Sequence, residues 1–309
     1  MILFVSGRCD IPAYYTPWFL NRIIAGYVDV RNPFNSHQIS RIPLTKEHVD
    51  VVFFCTKNPL PILPYLEKFP FPFIFHITLT AYKQDIERKV PDKKKIIEAI
   101  KMLSKQYGKH RIVVRYDPIL LNPYYTISYH TLAFEKLCKE LAGYVNTIII
   151  SFVDMYKNTK CNQSLMNLQP LREQDMHQIG SAFGKLASQY KVSVQTCAEA
   201  VDLSSYGILS KPCMNMEDIT TALGYSIRKP KGSGVRGKVC GCLNSVDIGD
   251  YNCCAHECLY CYANYDARQI RERMRQHDPN SSVLLGHLSE LDHITIREDK
   301  RDSQLSLTL

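Results

Sequence analysis

No stretch of eighteen apolar residues occurs in the 309-residue chain, so it carries no obvious membrane-spanning helix. The opening Met1-Ile2-Leu3-Phe4-Val5 lacks the basic stretch and small-residue cleavage site of a secretory leader. A cytoplasmic protein without membrane contact is the expectation. No internal repeat is evident. The single tryptophan, Trp18, falls in a helical stretch and reads as a packing residue, not a stacking platform. Nor is there a strong block of one charge. The net charge of +8 gathers only modestly at Lys93-Lys94-Lys95 and over residues 228–238 and 268–275. Such a spread fits a solvated surface better than a nucleic-acid footprint.

Cysteine, by contrast, is plentiful. Six of the twelve cysteines lie between Cys240 and Cys261, and in a reducing compartment such crowding points to metal, not to disulfides. Cys254, Cys258 and Cys261 follow the spacing C-x-x-x-C-x-x-C, with Tyr260 before the last. That spacing offers three thiolates. A structural zinc site closes its tetrahedron with four protein ligands, whereas a [4Fe–4S] cluster on three cysteines leaves one iron open for chemistry. Cys240 and Cys242 form a C-x-C pair that could supply a second metal together with Cys213 or Cys253, or else line the cluster loop as buried thiols. Cys55, Cys138 and Cys197 read as small buried residues, although Cys197 stands at a strand end.

Short apolar runs at 2–6, 51–55, 73–79, 111–116, 147–152 and 192–197 predict six strands buried on both faces. Between them, helical periods predict helices at 16–25, 61–68, 93–106 closed by Gly108, 129–141 closed by Gly143, and 171–189. Six alternating βα units predict an α/β fold, a partial (β/α)6 TIM-like barrel. The expected division is a barrel over 1–211 and a cysteine-rich, cluster-binding extension over 212–309 that folds back across the barrel mouth. Residues 212–237 read as the returning linker, with a turn-rich hinge at 229–234, residues 265–275 as a basic, solvated helix, and 300–309 as a loose tail.

Each predicted strand ends in polar residues, where a βα barrel carries its catalytic groups. Arg8 and Asp10 follow the first, Lys57 the second, Thr78 and Thr80 the third, Arg115 and Asp117 the fourth, Asp154 the fifth and Glu199 the sixth. Singly, an Arg-x-Asp is an ordinary ion pair and a lone lysine a solvated loop residue. Six polar strand ends together predict one shared pocket.

The run Cys254-Ala255-His256-Glu257-Cys258-Leu259-Tyr260-Cys261 resembles the cluster loop of the radical S-adenosylmethionine (SAM) superfamily. That resemblance implies a [4Fe–4S] cluster on Cys254, Cys258 and Cys261, reductive cleavage of bound SAM to a 5′-deoxyadenosyl radical, and an electron donor such as flavodoxin or ferredoxin. Candidate catalytic residues are Arg115, Asp117 and Lys57; candidate cofactor-binding residues are Arg8, Asp10, Glu199 and Tyr260. In that superfamily the loop follows the first strand and a Gly-Gly-Glu motif holds SAM. Here the loop lies near the other end and no Gly-Gly-Glu occurs.

The whole chain also resembles an uncharacterised prokaryotic family known as a domain of unknown function. The shared motifs are Ser6-Gly7-Arg8-Cys9-Asp10-Ile11-Pro12, Arg115-Tyr116-Asp117-Pro118, Cys240-Gly241-Cys242 and the cysteine loop through Ala263. It implies a radical-SAM-like barrel with a relocated cluster. It brings no substrate: the charged groups at the mouth suit a polar or phosphorylated small molecule or SAM alone, and nucleic acid is the second class, since Cys258-Leu259-Tyr260-Cys261-Tyr262 partly resembles radical-SAM DNA-repair lyases. The alternative is a non-catalytic iron–sulfur or zinc-binding barrel protein that contacts a ligand or nucleic acid.

Overall fold

The structure is a computed structural model and describes residues 1–232, 234 and 240–297. In chain order, β1 (Ile2–Val5), α1 (Ile11–Tyr14) and α2 (Thr16–Ala25) lead into a hairpin of β2 (Tyr27–Asn32) and β3 (Asn35–Pro43). Next come β4 (Val51–Thr56), a 3-10 segment Leu63–Lys68, β5 (Phe73–Thr78), α3 (Lys93–Tyr107), β6 (Ile112–Ile119), α4 (Ile127–Leu141) and β7 (Thr147–Phe152). The chain continues through α5 (Lys157–Cys161), α6 (Glu173–Tyr190), β8 (Ser193–Thr196), β9 (Leu209–Ser210), α7 (Met216–Leu223), β10 (Val246–Asp247), α8 (Ala267–Met274) and β11 (His293–Ile296). Among the described residues no helix is long and apolar enough to cross a membrane.

The fold is α/β. Eight strands form one parallel sheet in the order β10-β1-β4-β5-β6-β7-β8-β9, and the predicted strands are its six central members. The sheet is not closed, since β9 and β10 stand at opposite edges without pairing. Segments beside those edges nevertheless meet, because the Leu243 N–H donates to the Met214 carbonyl at 3.0 Å.

Alternation along each strand separates two faces. Leu3, Val5, Val52, Phe54, Phe75, Val114, Ile148, Ile150 and Val194 belong to one large core with Phe19, Ile96, Ile100, Leu103, Phe134, Ile179 and Phe183 of α2, α3, α4 and α6. The other face carries Ile2, Val51, Phe53 and Ile74, covered by Met214, Ile219, Ala222, Ile227 and Leu243. The connecting helices therefore lie on one side and the C-terminal part of the chain covers the other. Residues beyond 211 also enter the large core through Val246, Ile248, Cys253, Cys254, Leu284 and Leu285. The expected extension thus shares its hydrophobic core with the strands.

Several local expectations are corrected. The predicted helix at 61–68 is only a 3-10 segment, because Pro61 and Pro64 remove backbone donors. The predicted linker contains α7, which is capped by Asn215, whose side chain accepts from Asp218 N, and by Gly224 in the left-handed region, φ 79°. The expected hinge at 229–234 and basic stretch at 228–238 lie partly outside the described residues, and the tail at 300–309 wholly so. A separate three-stranded sheet, β11-β3-β2, was not expected.

His130 of α4 is buried between β6 and the loop after it. Its Nε2 lies 2.9 Å from the Leu120 carbonyl and must donate, so Nδ1, 2.8 Å from the Tyr116 hydroxyl, accepts. Burial pushes His130 down from 6.5 to about 4. As pH falls, the unfolded chain takes up this proton first. Stability should therefore be lost between about pH 6.5 and 4, by on the order of 3 kcal/mol for this group. Urea unfolding at pH 7 and pH 4.5 should show a smaller loss in His130→Gln than in wild type; equal losses would remove His130 from the account.

Candidate metal centre

The loop carrying Cys254, Cys258 and Cys261 is shaped by its own asparagines. Asn252, at φ 54°, donates its N–H to the Ala263 carbonyl at 2.9 Å, and its side chain accepts from Tyr265 N at 2.7 Å. The Asn264 amide reaches Cys261 Sγ at 3.6 Å and the Cys254 carbonyl at 3.4 Å, tying the last thiol to the backbone of the first cysteine. Carbonyl groups on the loop's outer side are met by α5. Asn158 Nδ2 donates to Tyr262 O and Asn264 O, each at 3.0 Å, and Asn162 Nδ2 to Leu259 O at 2.8 Å. A partly buried loop needs such partners for its backbone.

Across the loop lie the C-terminal ends of the strands. Asp10, after β1, is 5% exposed and accepts four hydrogen bonds. Thr56 Oγ1 (2.6 Å) and Ala13 N (3.1 Å) reach Oδ1, while Lys57 N (2.7 Å) and His256 Nε2 (2.8 Å) reach Oδ2. The other His256 nitrogen is 2.9 Å from the Tyr14 hydroxyl. Asp10 therefore locks the cysteine loop to β1 and β4, and both His256 nitrogens are engaged by protein groups.

Lys57 sits beside the loop. Its ammonium is 2.7 Å from Glu87 Oε1 and 5.5 Å from the centre of the Tyr260 ring. Glu87, 1% exposed, also accepts from Thr80 Oγ1 at 2.7 Å, the Tyr260 hydroxyl and the Lys93 ammonium. Burial alone would raise its carboxyl, but Lys57 and Lys93 outweigh it and hold it well below the usual carboxylate range. The pairing with Glu87 likewise overcomes burial to keep Lys57 charged, above its ordinary value. Glu87 escaped the sequence reading because it lies in an aperiodic turn, and its burial depends on contacts with remote residues.

Burial raises all three loop thiols. For Cys254 the nearby Asp10, Cys258 and Cys261 add to the rise; for Cys258, Lys57 opposes it; for Cys261, the Ala263 and Asn264 N–H groups and Lys57 oppose it. Three thiols, one buried and two half-buried, that resist ionisation together are suited to a cationic centre, which supplies the missing positive charge, and N–H groups directed at sulfur are a common feature of cluster sites. The chemistry of these donors is that of a metal-binding loop.

The remaining candidate residues are engaged by protein groups. Arg115 Nε is 3.0 Å from Asp117 Oδ2, and Ser151 donates to the other oxygen, Oδ1. Strand alternation puts this pair on the sheet face covered by the C-terminal chain, with Cys55 and Lys57. Arg8 instead turns toward β10, with Nε 3.2 Å from Asp247 Oδ1 and Nη2 2.9 Å from Asp247 O. Glu199 accepts from Phe152 N at 3.0 Å. Lys57 and Tyr260 are thus brought to the loop, whereas Arg8 is held at the sheet edge.

A second cysteine set converges elsewhere. Cys242 Sγ lies 3.5 Å from both Cys197 Sγ and Cys213 Sγ, and the three sulfurs are mutually within 4.8 Å, close enough to hold a metal. The C-x-C residue Cys242 is joined by Cys213, as one expectation had it. Cys253 is not a member; it sits by Cys9 and Tyr15, its thiol 3.1 Å from Asp250 O. The reading of Cys197 as a mere packing residue is corrected, because the chain's return brings Cys242 to the end of β8. Hydrogen bonds from Cys197 and Cys242 hold the Cys213 thiol well below its ordinary value.

Fold and site together define a parallel α/β protein whose C-terminal chain brings two groups of cysteines to the sheet. The chain belongs to the family described as Domain of unknown function (DUF1848), which matches residues 2–263 and so includes both groups. No curated protein and no solved structure matches it.

Glu87→Gln should leave two half-buried ammonium groups facing each other without a carboxylate. We expect a loss of about 3–5 kcal/mol in urea unfolding. Adding Lys57→Met should recover part of it, as a double-mutant cycle would register. A loss under about 1 kcal/mol would mean that Glu87 is not the buried counter-charge described.

Proposed function

We propose that this protein is a radical-SAM-type iron–sulfur enzyme that reductively cleaves S-adenosylmethionine to start radical chemistry on a polar substrate. The observation that carries the reading is the placement of Cys254, Cys258 and Cys261 in one partly buried loop beside the strand ends, with the Lys57 ammonium next to them. A four-iron cluster on three thiolates would leave one iron for the amino and carboxylate groups of SAM and supply the electron that breaks its sulfonium bond. Lys57 would offset the negative charge of the thiolates, and Glu87 would hold Lys57 in place. Asn264 would orient the first and last cysteines. Arg115 and Asp117 offer a guanidinium and a carboxylate suited to the charged ends of an amino acid, and Tyr260 an aromatic surface.

The same reading takes the six central strands as a partial TIM-like barrel. Sequential strand order, helices on one face and the hydrogen bond between the segments beside the two edges support it. A flavodoxin or ferredoxin would deliver the electron in the cytoplasm. One observation favours the alternative, a non-catalytic iron–sulfur or zinc protein: Arg8, Asp10, Lys57 and Asp117 already have protein partners.

Protein reconstituted without oxygen should be brown, with ~4 irons at this loop. Given dithionite and SAM it should release 5′-deoxyadenosine, and Cys258→Ala should abolish both colour and product. Arg115→Ala should reduce SAM turnover at least tenfold while the colour remains. A reducible cluster that neither binds nor cleaves SAM would leave the alternative standing.

A further inference from the structure

Cys197, Cys213 and Cys242 come from three separate places. Cys197 follows β8, Cys213 follows the edge strand β9, and Cys242 precedes the opposite edge strand β10. Their convergence is held by backbone contacts. Lys211 N donates to Thr196 O at 3.1 Å, Leu243 N to Met214 O at 3.0 Å and Gly234 N to Cys242 O at 2.8 Å. A side chain at Gly234 would strike the Cys242 backbone, with a Cβ only 2.8 Å from its carbonyl oxygen. All three thiols are free of disulfides.

The spacing of the sulfurs identifies the kind of metal. Four thiolates at about 2.3 Å from one tetrahedral zinc ion lie roughly 3.8 Å apart. Sulfurs separated by 3.5 Å, with all three within 4.8 Å, already resemble one face of that tetrahedron. A cubane instead places each cysteine on a different iron and holds the sulfurs farther apart. Among the described residues, Cys254, Cys258 and Cys261 do not meet the 4.8 Å spacing, so of the two sets Cys197, Cys213 and Cys242 is the one arranged to share a single ion. Among the described residues no fourth sulfur lies within 4.8 Å of all three, and Cys240, two residues before Cys242 across Gly241, whose φ of 58° turns the chain, is the cysteine nearest to the set in sequence.

We propose that Cys197, Cys213 and Cys242, with Cys240 as fourth ligand, bind a single structural zinc ion that joins the two edges of the open sheet. Each thiol gives up its proton to solvent as its sulfur binds, so affinity falls as pH is lowered. The ion supplies the covalent link that strand pairing leaves out, and it fixes the chain that covers the second face. This assignment is independent of the chemistry at the other cysteines.

The test uses the full-length chain with Cys254, Cys258 and Cys261 all changed to Ser, which removes the loop thiols. Elemental analysis should find about one zinc per chain. Adding Cys213→Ser should lower that content at least tenfold. Stripping the metal should lower the melting temperature by several degrees and speed amide exchange at β1 and β8. Because the cysteine variants could fail to fold, the metal-free triple variant is also titrated with cobalt(II). Thiolate-to-cobalt charge transfer with strong tetrahedral bands supports the proposal, and Cys240→Ser should then shift those bands. An unshifted spectrum would overturn the place of Cys240. An octahedral spectrum, iron–sulfur colour, or a disulfide without metal in the purified protein would overturn the zinc site.

Discussion

A parallel sheet whose connecting helices all pack on one face must have its other face covered. In this protein α2, α3, α4 and α6 occupy one side, and the strands turn Ile2, Val51, Phe53 and Ile74 to the other. Those side chains would be wet without Met214, Ile219, Ala222, Ile227 and Leu243, so apolar burial draws the C-terminal chain across the sheet. The cysteines travel with that chain. Their position is a consequence of covering an apolar face, and the strand ends they meet are those that a parallel βα arrangement leaves polar.

Two buried carboxylates then fix the loop. Asp10 is saturated by donors from α1, the end of β4 and His256, and Glu87 by Lys57, Lys93, Thr80 and Tyr260. A carboxylate buried with full pairing is tolerable and becomes strongly unfavourable if a partner is lost, so such groups allow few alternative arrangements. They hold the loop in one register against β1 and β4.

The two cysteine groups illustrate how spacing in sequence and in space carry different information. Cys254, Cys258 and Cys261 are neighbours in the chain, and their motif was readable at once. Cys197, Cys213 and Cys242 span 45 residues between the first and last, yet their sulfurs touch. Only the approach of the two sheet edges unites them.

The strands and most helices were legible because burial imposes a period on the chain. Ile96, Ile100 and Leu103 on α3 and the continuous apolar run of β7 are such cases. The loop's three thiols and the polar strand ends were equally plain, since both depend on adjacent residues. The helix at α7 was hidden in a polar, turn-rich stretch, and the hairpin of β2 and β3 carries only a short alternation that competes with helical readings. Glu87, Asp247 and Cys197 acquire their roles in part from partners up to 241 residues away. Local composition therefore determined which elements form and which ligands are present, whereas the tertiary structure decided which of them meet, because long-range packing and the pairing of buried charge leave no periodic trace in the sequence.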